Sequence, residues 1–191
     1  MFRAEVVGSM LRPAYLKEAR AALGAGQMTI QQFKRIEDRA VDQVIATQEG
    51  SGVEVVTDGE MRRFLFMGPI TETVSGIEFV EHGSVMPWAT AEGETEWTSP
   101  AAVTSKLQKK RSLVCEEYSY ARARARRPLK VTVPSPLVLY GFWNERYSTA
   151  AYSDAFAMFS DAAAVGRSEV ERDWAEAHGM PAERMLPRES T

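Results

Sequence analysis

The stretch VEVVTDGEMRR, residues 53–63, carries the chain from an apolar run into two carboxylates, a glycine and two guanidinium groups. Val53-Glu54-Val55-Val56 reads as a strand with both faces apolar or nearly so, the pattern of a parallel strand covered by helices. Upstream, Thr29 and Gln32 form the T-x-x-Q of a capping box. Ile30, Phe33, Ile36, Ala40, Val41, Val44 and Ile45 then recur at three- and four-residue steps and predict a helix that stops near Gly50 and Gly52. Earlier still, residues 4–9 (AEVVGS) predict a short strand. Pro13 opens a helix over PAYLKEARAALGAG, and Gly24 or Gly26 ends it with a left-handed cap. Strand, helical crossover and strand make a βαβ unit, so the fold class is α/β.

Downstream the rhythm changes. Residues 71–100 alternate apolar and polar positions in short pieces around Gly76, Gly83 and Gly93, which predicts a β-hairpin or irregular excursion. A helix is expected over 114–127, then the strand LKVTV after Pro128, the bend Pro134-Ser135-Pro136, and a last helix over 148–177. On that last helix Phe156, Phe159, Ala163, Gly166, Val170 and Trp174 keep helical spacing.

Composition narrows the function. The 191 residues are 45% hydrophobic with a net charge of −3, an ordinary globular balance. No apolar run reaches the roughly 20 residues of a membrane helix, and MFRAEVVGSM lacks the apolar core and cleavage site of a signal peptide, so no membrane partner and a cytoplasmic location are expected. Arg122, Arg124, Arg126 and Arg127 alternate around their helix instead of lining one face; with negative net charge they predict a solvated helix end and no nucleic-acid partner. Cys115 is the single cysteine, and with His82 and His178 it shows no ligand spacing, so no complete metal site is expected within the chain.

In βα repeats ligands bind at the carboxyl ends of the strands. Three such ends stand out: Gly8-Ser9-Met10, Thr57-Asp58-Gly59-Glu60, and Pro134-Ser135-Pro136 leading into Tyr140-Gly141-Phe142-Trp143. Gly59 permits a tight turn that lets both acids face inward. Alternatively, Asp58 caps a turn and Glu60 pairs with Arg62 or Arg63 on the surface. Gly8-Ser9 offers backbone N–H groups and a hydroxyl to a carboxylate, or simply ends a strand. Phe142 and Trp143 either stack on a flat heteroaromatic ligand or fill the core. Ser9 has no His or Asp partner in the sequence that would make it a hydrolytic nucleophile.

Taken in order, VVGSMLRP (6–13), EDRAVDQVIATQEGSGVEVVTDGEMRR (37–63), EWTSPAAV (96–103) and PLKVTVPSPLVLYGF (128–142) resemble the first part of cobalamin-independent methionine synthase, and more closely its short, single-barrel methionine synthase II-like relatives. The resemblance implies a TIM-type barrel that uses zinc to move a methyl group from a methylated folate to the sulfur of homocysteine, the 5-methyltetrahydropteroyltriglutamate–homocysteine S-methyltransferase reaction. It assigns Gly8, Ser9 and Glu60 to the amino-acid substrate. It sets Phe142, with Trp143 beside it, on the folate side. Asp58 stands where the long synthases have histidine, so the resemblance gives it no role, and it gives none to Arg62 and Arg63.

The zinc ligands that the resemblance implies belong to later strands, and a complete (β/α)₈ barrel takes about 250 residues. Residues 1–178 are therefore expected to form an incomplete TIM-type barrel of about three to four βα units with the hairpin inserted near 71–100. The polar, proline-containing stretch 179–191 reads as a tail foreign to the barrel, through truncation or a change of reading frame. Zinc is not expected to bind this chain alone, and the isolated chain is expected to be inactive. An open sheet edge would favour self-association or a complementing fragment. Two alternatives stand beside the methyltransferase: a non-catalytic remnant or binding module that keeps part of the pocket, and a related zinc-dependent thiol alkyltransferase acting on another thiol.

Overall fold

In a computed structural model, the described residues are 5–64, 68–91 and 93–177. The predicted tail at 179–191, and His178, lie outside them. In chain order the elements are α1 (Ala14–Gly24), α2 (Ile30–Gly50), α3 (Gly68–Thr73), β1 (Val74–Phe79), β2 (Val85–Thr90), β3 (Gly93–Thr98), β4 (Ala101–Lys109), α4 (Leu113–Arg122), a 3₁₀ helix (Pro136–Phe142), α5 (Glu145–Ser148) and α6 (Ala155–Ala177). They divide between two compact units, Met1–Phe66 with Val114–Thr132, and Met67–Leu113 with Val133–Thr191.

In the first unit α1 ends as the glycines predict. Gly26 takes φ +69°, its N–H donates to the Leu23 carbonyl, and the Gln27 N–H reaches back to Ala22, a Schellman cap. The capping box of α2 forms in full: the Thr29 hydroxyl accepts from the Gln32 N–H at 3.3 Å, and the Gln32 side chain accepts from the Thr29 N–H at 2.9 Å. Phe33, Ala40, Val41, Val44 and Ile45 are buried as expected; Ile36 is half-buried and Ile30, at the first turn, is exposed. The buried ones pack with Leu16, Val56, Met61, Ala121 and Ala125 into one core, with Ile36 against it.

The predicted parallel strands are shorter than the sequence suggests. Residues 5–9 are not in a strand, and pairing between 53–56 and 129–133 shrinks to one parallel bridge, Val56 with Leu129. The Val56 N–H donates to the Pro128 carbonyl and the Lys130 N–H to the Val56 carbonyl, each at 2.9 Å. Glu54 is exposed and Val53 and Val55 only half-buried, so both faces are not covered. Successive strand residues turn their backbone groups to opposite edges, and at Thr57 the outer edge is already taken. The buried Gln48 amide donates to the Thr57 carbonyl at 2.7 Å and accepts from its N–H at 3.0 Å. A side chain of α2 thus occupies the positions a neighbouring strand would use. The first segment is tied instead through the Thr57 hydroxyl, which donates to the Gly8 carbonyl, and through Met10 N–H, which donates to the Gly59 carbonyl, both at 3.1 Å. Among the described residues there is no closed barrel.

The second unit holds the predicted excursion, which is larger than 71–100. β2 and β3 form an antiparallel hairpin from Val85 opposite Thr98 to Thr90 opposite Gly93. β1 pairs antiparallel with β4, which the sequence reading omitted, and the register shifts between Ser75 and Ile77. Gly76 lies at that shift with φ +98°, where a Cβ would fall 2.8 Å from the Ser105 carbonyl oxygen. The last helix begins at Ala155, not 148. Between α5 and α6 the chain bends to bury Tyr152, whose hydroxyl accepts from the Leu107 N–H at 2.7 Å and donates to Asp161 at 2.8 Å. Asp154 then starts α6 by accepting from the Ala157 N–H at 2.8 Å. The buried face of α6 is Met158, Ala162 and Glu169, while Phe156, Ala163 and Val170 are exposed, so the predicted stripe is rotated. The Trp174 side chain is outside what the structure describes. No helix among the described residues is long and apolar enough to cross a membrane.

Candidate functional site

The turn after Val56 gathers charge in the interior of the first unit. Thr57, Asp58, Glu60, Arg62 and Arg63 are all buried. Two local hydrogen bonds shape it: Thr57 Oγ1 accepts from the Gly59 N–H at 2.9 Å, and Asp58 Oδ1 accepts from the Glu60 N–H at 3.0 Å. Gly59 has φ +66°, and Glu60 itself has φ +54°, a conformation uncommon for a residue with a side chain. Asp58 therefore caps the turn, one of the two predicted roles, while Glu60 pairs with Arg63 in the interior and not on the surface.

Both oxygens of Glu60 are held. The Ser9 hydroxyl donates to Oε2, and the Thr132 hydroxyl donates to Oε1 at 2.6 Å. Arg63 Nη1 stands 3.6 Å from the same Oε1. Gly8 makes this approach feasible, because a Cβ there would lie 2.7 Å from Thr132 Cγ2 and 2.8 Å from Glu60 Oε1. Ser9 is exposed beside the buried acid. Gly8, Ser9 and Glu60, from two predicted strand ends and assigned by the resemblance to one substrate, meet in one place.

The two arginines part company. Arg62 turns to α2, pairing with Asp38 and lying 3.8 Å from Glu37, with its guanidinium 4.2 Å from the centre of the Tyr120 ring. Arg63 is 1% exposed and clamps Glu117 of α4: Nε reaches Oε1 and Oε2 at 3.1 and 3.0 Å, and Nη2 reaches Oε2 at 2.6 Å. Nη1 and Nη2 also donate to the Thr132 hydroxyl and carbonyl at 3.0 and 2.9 Å. Arg12 donates to the Glu60 and Arg63 carbonyls at 3.0 and 2.9 Å, pinning the turn from α1's side.

Burial governs the protonation of these acids. It pushes Glu117 up to about 7 against the hydrogen bonds from Arg63, and Arg63 is itself raised by Glu117 despite its own burial. Burial also raises Asp58, whose Oδ2 has no hydrogen-bond partner. Glu117, Thr132 and Arg12 were absent from the sequence reading. They lie 54 and 69 residues from Arg63 and 48 from Glu60, and no motif spacing links them.

Phe142 and Trp143 belong to the second unit. Phe142 is 6% exposed and packs with Leu139, Tyr152 and Met158, while Trp143 is half-buried against the same cluster. Zinc is not matched by the donors present: Cys115 is buried, His82 is exposed, and no group of three or more His, Cys, Asp or Glu among the described residues could hold a metal ion.

Comparison with known proteins places the chain in a family. Residues 2–173 match the family described as cobalamin-independent synthase, catalytic domain. The chain is 34% identical over 168 residues to the uncharacterized protein YxjH of Bacillus subtilis, covering 85% of this chain and 42% of that protein. It is 30% identical over 146 residues to a methionine synthase of Sulfurisphaera tokodaii, covering 75% of this chain and 41% of that enzyme. The chain thus spans about two fifths of the curated relatives it matches. Among solved structures, a Listeria monocytogenes protein provisionally named a vitamin-B12-independent methionine synthase superposes with a TM-score of 0.65 at 23% identity, over 92% of this chain and 49% of that one. A B12-independent methionine synthase from Shewanella sp. W3-18-1, solved with selenomethionine, gives 0.55 at 16% identity, over 84% of this chain and 46% of that one. With a family match over nearly its whole length and an α/β fold shared with these structures, the chain belongs to the cobalamin-independent methionine synthase catalytic-domain family.

Proposed function

We propose that this chain carries the amino-acid-binding part of a methionine synthase-type methyltransferase, with Glu60, Ser9 and Gly8 holding homocysteine. The observation that supports this reading is the buried Glu60 carboxylate, fixed on both oxygens by Ser9 and Thr132 and lying next to an exposed hydroxyl. A carboxylate has about four acceptor positions, so after these two hydrogen bonds it keeps capacity for the N–H groups of a substrate ammonium. The backbone beside Gly8 suits the substrate carboxylate, while the Ser9 hydroxyl, its one hydrogen given to Glu60, holds that acid in place. Of the two aromatics assigned to the folate, Trp143 has the freer ring, since Phe142 is packed into the core of its unit.

We infer further that residues 1–178 derive from a partial TIM-type barrel, with a hairpin insertion near 71–100. Methyl transfer needs a sulfur made nucleophilic, which zinc supplies in such chemistry. Among the described residues the donors present do not fit zinc. That mismatch supports the second reading, a chain that binds the amino acid and methylates nothing by itself.

Titration calorimetry with reduced L-homocysteine tests the pocket. Wild type is expected to bind, and Glu60→Gln, which keeps the shape and removes the charge, to bind at least about tenfold more weakly, the loss of one charge-assisted hydrogen bond. Equal heats from the two proteins would remove Glu60 from the site.

A further inference from the structure

We propose that Thr132, driven by the Arg63–Glu117 pair, is a positioning residue that aims the Glu60 carboxylate and so selects ligands carrying a primary ammonium group. This rests on the assignment of Glu60 to amino-acid binding and adds the device that sets its geometry.

The argument is one of donors and acceptors. A guanidinium can only donate hydrogen bonds, whereas a hydroxyl has one hydrogen and two acceptor positions. Arg63 Nη1 donates into the Thr132 hydroxyl at 3.0 Å, so the hydroxyl is the acceptor in that contact. Its single hydrogen is then free to point at Glu60 Oε1, 2.6 Å away. Arg63 cannot swing aside to change this. Nε and Nη2 are locked onto Glu117, and Nη2 also donates to the Thr132 carbonyl at 2.9 Å, holding the backbone that carries the hydroxyl. Glu117 and Arg63 are each 1% exposed, so no bulk water competes for the bonds between them.

The relay therefore runs from α4 through Arg63 and Thr132 to Glu60, and it fixes the carboxylate plane with Oε1 as an acceptor. Gly8 presses on the same joint, since a Cβ there would meet both Thr132 and Glu60. Charge favours a cationic ligand. Asp58, Glu60 and Glu117 lie around the buried Arg63, the equally buried Arg62 being turned to Asp38 and Glu37, and Asp58 Oδ2 has no hydrogen-bond partner. An ammonium group donates charge-assisted hydrogen bonds to Glu60; an uncharged ligand of the same shape does not.

The test compares L-homocysteine with its des-amino analogue 4-mercaptobutanoate, by calorimetry on the full chain. Thr132→Val keeps the shape and removes the hydroxyl; it should weaken L-homocysteine about tenfold and leave the analogue's heat unchanged, while Thr132→Ser restores binding to within about threefold. Thr132→Val binding both probes like wild type, or losing both equally, overturns the proposal. A second readout does not depend on ligand. The ¹³C carboxyl resonance of Glu60, identified by its loss in Glu60→Gln, should move in Thr132→Val and return in Thr132→Ser. Should wild type bind no L-homocysteine, the amino-acid reading fails and the selectivity with it, while a moved resonance would still uphold the relay. An unmoved resonance overturns the relay whatever binds.

Discussion

Gly8 is the residue on which the site's compactness depends. Its φ lies outside the left-handed region, so an alanine there would be strained by its neighbours alone: Thr132 Cγ2 at 2.7 Å and Glu60 Oε1 at 2.8 Å. Gly8→Ala is expected to cost about 1–3 kcal/mol, the usual range for forcing an extra methyl into packed surroundings, and to displace Glu60. Thermal unfolding measures the first, and the Glu60 resonance the second. Glu117 makes a different prediction. An unfolded chain releases this carboxyl's proton near 4.5, whereas the folded one holds it up to about 7. Between those values the folded state binds the extra proton, so the group's contribution to stability is present at low pH and is lost as pH rises through about 7. Asp58 and Glu37, also raised by burial, act in the same direction. Urea unfolding of wild type should show lower stability at about pH 8 than at about pH 5, with a smaller drop in Glu117→Gln. An identical drop in the variant would exclude Glu117 as a source.

At the scale of elements, α2 does more than cover the core. Its N-terminus is set by Thr29 and Gln32, and its last turn supplies Gln48 to the backbone of Thr57. Removing the cap by Thr29→Ala should cost about 1 kcal/mol. Gln48→Ala should cost more, about 2–4 kcal/mol, because a buried N–H and a buried C=O at Thr57 both lose their partner. Denaturant midpoints of the two variants check the order. A Gln48 variant as stable as the Thr29 one would mean that water replaces the amide at Thr57. The contrast reflects exposure, since Thr29 is at the surface, whereas Gln48 is 2% exposed.

For the whole molecule, metal is the discriminating observation. Inductively coupled plasma analysis of protein purified with zinc in the medium is expected to give well under one zinc per chain, and homocysteine methylation by the isolated chain is expected to be undetectable. One tightly held zinc per chain would overturn the reading that this chain binds an amino acid without activating its sulfur.

The sequence alone determined the features that depend on neighbours within a turn or two. The capping box at Thr29, the glycine ends of α1 and α2, the buried face of α2 and the tight turn at Gly59 are all readable, because local backbone geometry and helical period are local properties. The ordered motifs also pointed to the family, and Gly8, Ser9 and Glu60 do meet. Tertiary structure decided the rest. The replacement of a strand neighbour by Gln48, the bend that buries Tyr152 and delays α6 to Ala155, and the joining of Glu117 and Thr132 to Arg63 arise from contacts across tens of residues. In each case a buried polar group must find its partner wherever the fold brings one, and that search leaves no periodic mark in the sequence.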